Sequence, residues 1–207
     1  MSVETSERRE RKDAQRNLER VLHAAHELFA ERGADVTMEE VARRAGVGVG
    51  TIYRRFPSKD LLFAAVSQAA CADTRHCLQA ATQAQHDPLL KLRALVLTQY
   101  QRCGVQSALL DLHPAAEATT GPTFEQQQLY DALHRMLQQV IAEGQREGAI
   151  RQDDPAALAA LCLELLSPRA FEHLARVVGR DAEDAAEYTL RFVLGGLRGA
   201  EDEGRSL

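Results

Sequence analysis

Apolar residues recur every three or four positions along most of this chain, and nowhere do they alternate with polar ones as a half-buried strand requires. From Ala14 onward, Leu18, Val21, Leu22, Ala25, Leu28 and Phe29 draw one stripe, which predicts a helix with Gly33 in the C-cap role. Thr37 opens a second helix with Glu40 at capping-box spacing and Met38, Val41, Ala42 and Ala45 on its inner face. That helix stops at Gly46. Gly46-Val47-Gly48 is too short for anything but a tight turn, and a third short helix follows from Val49 to Phe56. Pro57 lacks a backbone donor and disfavours helix just before it, so the chain breaks there. Ser58 restarts it as an N-cap, with Asp60 in the first turn and Leu61, Leu62, Ala65, Val66 and Ala69 along a long helix.

The remainder has the same period. Asp87-Pro88 starts a helix carrying Leu89, Leu92, Leu95, Val96 and Leu97. A shorter helix is expected from Val105 to Ala118, broken by Pro114, and Gly121-Pro122 reads as a loop. Thr123 caps a long helix with Leu129, Leu133, Met136, Leu137, Val140 and Ile141, ending near Gly148. Asp154-Pro155 starts the next, with Leu158, Leu161, Cys162, Leu165 and Leu166. Ser167-Pro168 interrupts it, helix resumes over Phe171 to Val178, and Asp181 begins the last helix. The fold class is therefore all-α. Residues 1–13 alternate acids and bases and read as a flexible arm. Residues 14–60 read as a three-helix domain and 61–207 as a larger helical domain.

Two short helices joined by a glycine turn form the helix-turn-helix pattern. In that geometry the second helix enters the major groove of duplex DNA with its N-terminal residues toward the base edges. Gly48, Val49, Gly50 and Thr51 make this end slim, and its amides are available to phosphates. Ile52 and Phe56, four apart and apolar, face the core, while Val49, Gly50, Tyr53 and Arg54 share the opposite side. Charge alters the picture at this point. The chain carries a net charge of -5, which argues against a nucleic-acid partner. Residues 1–60, however, hold 12 basic and 11 acidic side chains, and Val41–Lys59 holds five basic residues and no acid. Screening confines such interactions to about 8–10 Å, so a local cationic face on an acidic protein still attracts phosphates.

Residues 17–63 resemble the DNA-binding domain of the tetracycline-repressor (TetR) family. The matching segments are RVLHAAHELFAERG and TMEEVARRAGVGVGTIYRRFPSKDLLF, with the Gly-Thr-Ile-Tyr-x-x-Phe-x-x-Lys core inside the second. The resemblance implies a three-helix DNA-binding domain, a helical ligand-binding and dimerisation domain, and repression of a palindromic operator relieved by a small-molecule effector. It implies phosphate contacts from Thr37, Gly48, Thr51, Tyr53, Arg55 and Lys59, and an approach to bases by Val49 and Gly50. Arg55 stands where the family often has histidine, which keeps a donor. Arg54 reaches either a phosphate or a guanine. With only Val49 and Arg54 available to read base edges, affinity is expected to come largely from phosphates and DNA shape.

The resemblance fades after about residue 80. A homodimer is expected, because one recognition helix reads too few base pairs. The family's pairing of its last two long helices would use Ala156–Leu166 and Ala182–Leu197, with Cys162, Leu165, Phe192 and Leu197 as candidate contacts. Tyr100, His113, Phe124 and Tyr130 are candidate pocket residues, polar-tipped or aromatic groups on apolar segments. An effector-independent DNA-binding protein and an activator of the same fold are the alternative readings. No nucleophile elbow, phosphate loop or H-E-x-x-H argues for an enzyme, and Gly-Val-Gly-Val-Gly follows a helix rather than the strand a dinucleotide site needs. No cofactor and no metal is expected. Cys71 and Cys77, six apart on a helix, cannot share a tetrahedral ion alone, and no C-x-x-C pair is present. No apolar run nears the roughly 18 residues of a membrane span, and no apolar signal core leads the chain, so a cytoplasmic location is expected.

Overall fold

The computed structural model describes residues 2–110, 123–178 and 182–198, and every regular element among them is helical. In chain order these are α1 (Ser2–Arg32), a single 3-10 turn (Gly33–Asp35), α2 (Met38–Ala45), α3 (Val49–Arg55), α4 (Lys59–Gln83) and α5 (Pro88–Leu110). Then come α6 (Phe124–Arg146), α7 (Pro155–Leu165), α8 (Pro168–Val178) and α9 (Ala182–Leu197). The chain divides into two compact units. One takes Met1–Ala70 with Ala108–Ala115, the other Cys71–Ser107 with Ala116–Leu207. The division falls within α4, ten residues beyond the position 60 at which sequence pattern alone set it.

In the first unit the predicted stripe of α1 is buried through Val21, Ala24, Ala25, Leu28 and Phe29. It joins Met38, Val41, Ala42 and Ala45 of α2, Ile52 of α3 and Leu62 and Val66 of α4. Phe29 meets Phe63 edge to face at 5.5 Å. Each such fully buried aliphatic or aromatic side chain contributes about 1.5–3 kcal/mol. Residues 2–13, expected as an arm, are helical and continue α1 toward the N-terminus. Their sequence sets Glu4 four residues before Arg8 and Glu7 four before Arg11, the order and spacing that favour a helix.

The second unit encloses one core built from α5 to α9 and the later part of α4. Gln145 fastens the loop between α6 and α7: its Nε2 donates to the carbonyls of Arg151 and Asp153, both at 2.9 Å, and Gln152 Nε2 returns a bond to its carbonyl at 2.7 Å. Thr123 and Asp154 cap α6 and α7 as their positions predict, and Lys91 spans from α5 to the Glu143 carboxylate on α6 at 2.7 Å. The helix expected to begin at Val105 is instead continuous with α5 as far as Leu110, and the rest of that segment lies outside the described residues. Pro168 sits at the first turn of α8, so the helix resumes at once after Ser167, three residues earlier than expected.

Two expected interface residues are core residues. Cys162 and Leu197 are buried among Leu158, Ala159, Leu190 and Val193, so they are removed from any surface contact. Leu165 is partly buried against the same core, whereas Phe192 is 72% exposed. The correction follows from helical phase: Cys162 lies one turn from Leu158 on the inner face, and the outer face of α7 carries Leu161 instead. Two expected pocket residues are also corrected. Tyr100 is a satisfied core residue, 1% exposed, with its hydroxyl bonded to the Leu165 carbonyl at 2.9 Å and to Thr189 Oγ1 at 2.5 Å. Phe124, at the start of α6, is 72% exposed. Tyr130 is half-buried and His113 lies outside the described residues.

Candidate nucleic-acid interface

The turn between α2 and α3 has one backbone requirement, and Gly46 meets it. Its φ of +64° is left-handed, and its amide closes the end of α2 by donating back to the Arg43 carbonyl. Arg20 from α1 completes that end, with its Nη2 donating to the carbonyls of Ala45 at 2.5 Å and Gly46 at 3.3 Å. A cation at a helix C-terminus also opposes the negative end of the helix dipole. At the other end, Thr37 Oγ1 accepts from the Glu40 amide and Glu40 accepts from the Thr37 amide at 2.9 Å, the reciprocal capping box. Arg32 reaches the same carboxylate at 2.6 Å. The Thr37 amide first, and Arg32 second, pull the Glu40 carboxyl down to about 2.

These contacts cap α2 and tie it to α1, and the two faces of α3 differ sharply. Ile52 is 1% and Phe56 7% exposed, and both are turned into the unit. Gly48 caps the N-terminus of α3, and Val49, Gly50, Tyr53, Arg54 and Arg55 are all exposed, Val49 at 39% and Tyr53 at 44%. A Cβ built on Gly50 would meet nothing within 4 Å, so the residue leaves open approach to the helix rather than filling a packing need. Thr51 is half-buried, and Arg54 Nη2 donates to its hydroxyl at 3.3 Å, which holds the guanidinium along the outer face. Arg55 stands at the edge of a cleft of about 380 Å³ between α1 and α3, floored by Leu18, Val21, Ile52 and Phe56. Lys59 opens α4, half-buried.

Gly48, Val49, Gly50, Tyr53 and Arg54 thus form an exposed ridge, with Arg55 exposed on its α1 side beside the cleft, flanked in sequence by Thr37 at the start of α2 and Lys59 at the start of α4. The five cations of the acid-free segment are not equivalent. Arg44 is drawn away to α1, bonding Glu31 at 3.1 Å and Glu27 at 3.3 Å, and those carboxylates raise its pKa, Glu31 foremost. Sequence reading counted Arg44 with the cationic face and missed Arg20 altogether. Both act across 13 or more residues, and only the α1–α2 packing brings the partners together.

Residues 21–66 match the family model described as bacterial regulatory proteins, tetR family. Curated HTH-type transcriptional regulators of Staphylococcus aureus are 44% identical over 50 residues, which is 24% of this chain and 27% of theirs. The match thus spans about a quarter of those relatives. Among solved structures, a TetR transcription regulatory protein from Mycobacterium vanbaalenii is 29% identical, with 91% of this chain and 99% of that one covered and a TM-score of 0.64. A TetR transcriptional regulator from Streptomyces coelicolor is 26% identical over 88% of this chain and 99% of that one, also at 0.64. A fatty acid degradation regulator from Bacillus halodurans shares the fold at 19% identity, with 87% of this chain and 96% of that one covered and a TM-score of 0.66.

Proposed function

Because residues 21–66 match the model for the tetR family of bacterial regulatory proteins, we propose that the chain is a regulator of that family, that it binds a palindromic operator in duplex DNA as a homodimer and that a small-molecule effector releases it, relieving repression. The observation that carries the reading is the division of α3. Its apolar residues Ile52 and Phe56 are consumed by the core, which leaves Gly48, Val49, Gly50, Tyr53, Arg54 and Arg55 outward. A ridge this slender fits the major groove, and its cations and phenol hydroxyl suit phosphates better than base edges. Arg44 takes no part, being held by Glu27 and Glu31. Thr37 and Lys59 serve as flanking backbone contacts on either side of the groove.

The dimer face proposed here differs from the one read off the sequence. Leu161 on α7 and Tyr188 and Phe192 on α9 are exposed apolar or aromatic groups on the two helices that the family pairs, with Leu165 partly exposed beside them. Gly195 and Gly196 have open space where a side chain would stand, so a second copy can approach closely there.

The test is fluorescence anisotropy on duplexes selected by the protein from random sequence, across about 50–200 mM salt. Affinity should fall steeply, with log Kd changing by about 0.9 per phosphate contact for each tenfold change in salt. Tyr53→Ala and Arg55→Ala should weaken binding to every sequence and flatten that slope by about one contact each. Phe192→Glu should give a folded monomer by light scattering that has lost operator affinity. Binding that ignores salt, or a monomeric wild-type protein with full affinity, would remove the reading.

A further inference from the structure

The first unit holds a cleft that DNA recognition does not use. α2 packs against both α1 and α3, and a cleft of about 380 Å³ opens between those two. That size lies within the ~300–1,000 Å³ of ordinary ligand pockets. Its floor is apolar. Val21, Ile52 and Phe56 are buried there, whereas Leu18 is half-buried and keeps part of its hydrocarbon in water. An apolar body laid on this floor would release that water.

The rim carries a single charge. Gln15, Asn17 and Thr51 are neutral, Arg55 is a cation, and no acid lines the cleft. The acids nearest on α1 are engaged beside it: Glu19 accepts from Gln15 Nε2 at 3.0 Å, and Asp13 stands 3.9 Å from the Arg16 guanidinium. Arg55 forms no ion pair among the described residues, in contrast to Arg44, which Glu27 and Glu31 hold. Thr51 Oγ1 accepts from Arg54, so its own O–H proton remains free to donate.

We propose that this cleft is a second small-molecule site, in the DNA-binding unit itself, and that its ligand is an amphipathic monocarboxylate. The apolar body lies on Leu18, Val21, Ile52 and Phe56, and the carboxylate pairs with Arg55. A guanidinium offers two parallel N–H donors to the two carboxylate oxygens, and an unpaired cation beside an acid-free apolar floor selects an anion over a neutral or cationic head. A DNA phosphate satisfies Arg55 but brings no apolar body to the floor. The same guanidinium cannot hold ligand and phosphate together, so ligand and duplex compete for it. That competition rests on the DNA reading above, whereas the site itself does not.

The test has two arms, both on the full chain at matched ionic strength. The first is titration calorimetry without DNA, using n-octanoate, n-octanol and n-octylamine, then phenylbutyrate, phenylbutanol and phenylbutylamine, with acetate as the head group alone. At least one long carboxylate should bind with a Kd of about 1 mM or tighter, the scale reached by ligands of about a dozen non-hydrogen atoms. It should bind about fivefold more tightly than its alcohol, and the amine and acetate should not bind. Arg55→Gln should remove the preference for the carboxylate. Ala14→Phe, which sets a ring into the cleft from α1, should abolish binding while keeping the far-UV circular dichroism of the parent. Asn17→Phe serves the same purpose if that variant fails to fold.

The second arm is anisotropy on the selected duplex. The carboxylate should weaken wild-type binding toward the level of Arg55→Ala and leave Ala14→Phe unaffected. An effector acting in the second unit would still release Ala14→Phe, so that result overturns the proposal. So does equal affinity for carboxylate and alcohol, binding that survives in Ala14→Phe, or no binding by any carboxylate. Duplex affinity of the unliganded wild type reports on the DNA reading alone, so the two failures remain distinguishable.

Discussion

Replacing Gly46 with alanine and Arg20 with alanine, singly and together, tests how the helix-turn-helix is held. An alanine at φ +64° carries a left-handed penalty of about 1–2 kcal/mol. Its Cβ would also stand 2.6 Å from Arg20 Nη2. That atom ends a flexible side chain, so the guanidinium swings aside and its bonds to the Ala45 and Gly46 carbonyls are lost. Charge-assisted bonds of this kind are worth more when buried. With the Arg20 side chain largely exposed, about 1 kcal/mol is the appropriate scale. Gly46→Ala should then cost about 2–3 kcal/mol and Arg20→Ala about 1 kcal/mol. The double variant should cost no more than Gly46→Ala alone, because the arginine bonds can be lost only once. The coupling of about 1 kcal/mol exceeds the ~0.3–0.5 kcal/mol within which independent sites add. Hydrogen exchange of the Val47 amide, which donates to the Ala42 carbonyl at 3.0 Å, reads the opening of this turn directly. Strict additivity of the two substitutions would refute the claim that Arg20 and Gly46 share one cap.

Three further outcomes are expected. Gly50→Glu should leave the thermal unfolding curve close to wild type, since a Cβ there meets nothing within 4 Å, yet abolish DNA binding by setting an anion against phosphates; a folded variant with intact affinity would displace α3 from the groove. Glu40 has a folded pKa near 2, below its unfolded value of about 4.5, so its contribution is complete above pH 4.5 and is lost as pH falls toward 2. Glu40→Gln should flatten the acid limb of stability against pH in that window, and an unchanged limb would count against the capping box. Burial pushes the thiols of Cys71 and Cys162 up to about 11 and of Cys103 to about 12, whereas Cys77 is half-buried. Mass spectrometry after iodoacetamide at pH 8 should find Cys77 alkylated first and the other three only after denaturant, and early labelling of Cys103 would contradict its placement in the core.

The all-helical class, the limits of α2, α3, α6 and α7 and the identity of the ridge were legible in the sequence because each depends on near neighbours. Apolar period, caps such as Thr37 and Asp154, and breakers such as Pro57 act over one or two turns, and the exposed face of α3 follows once Ile52 and Phe56 are assigned inward. Helical period alone could not tell which of two apolar faces on α7 and α9 belongs to the monomer's own core. Cys162 and Leu161 are adjacent and both apolar, yet one is buried and the other exposed. Nor could it say that Arg44 is spent on Glu31, that Arg20 closes α2, or that Gln99 reaches the end of α7 across 67 positions. Those outcomes depend on which helices pack together. A hydrogen bond between distant residues leaves no periodic trace along the chain, so only the assembled helices determine which charges are neutralised and which carbonyls are capped.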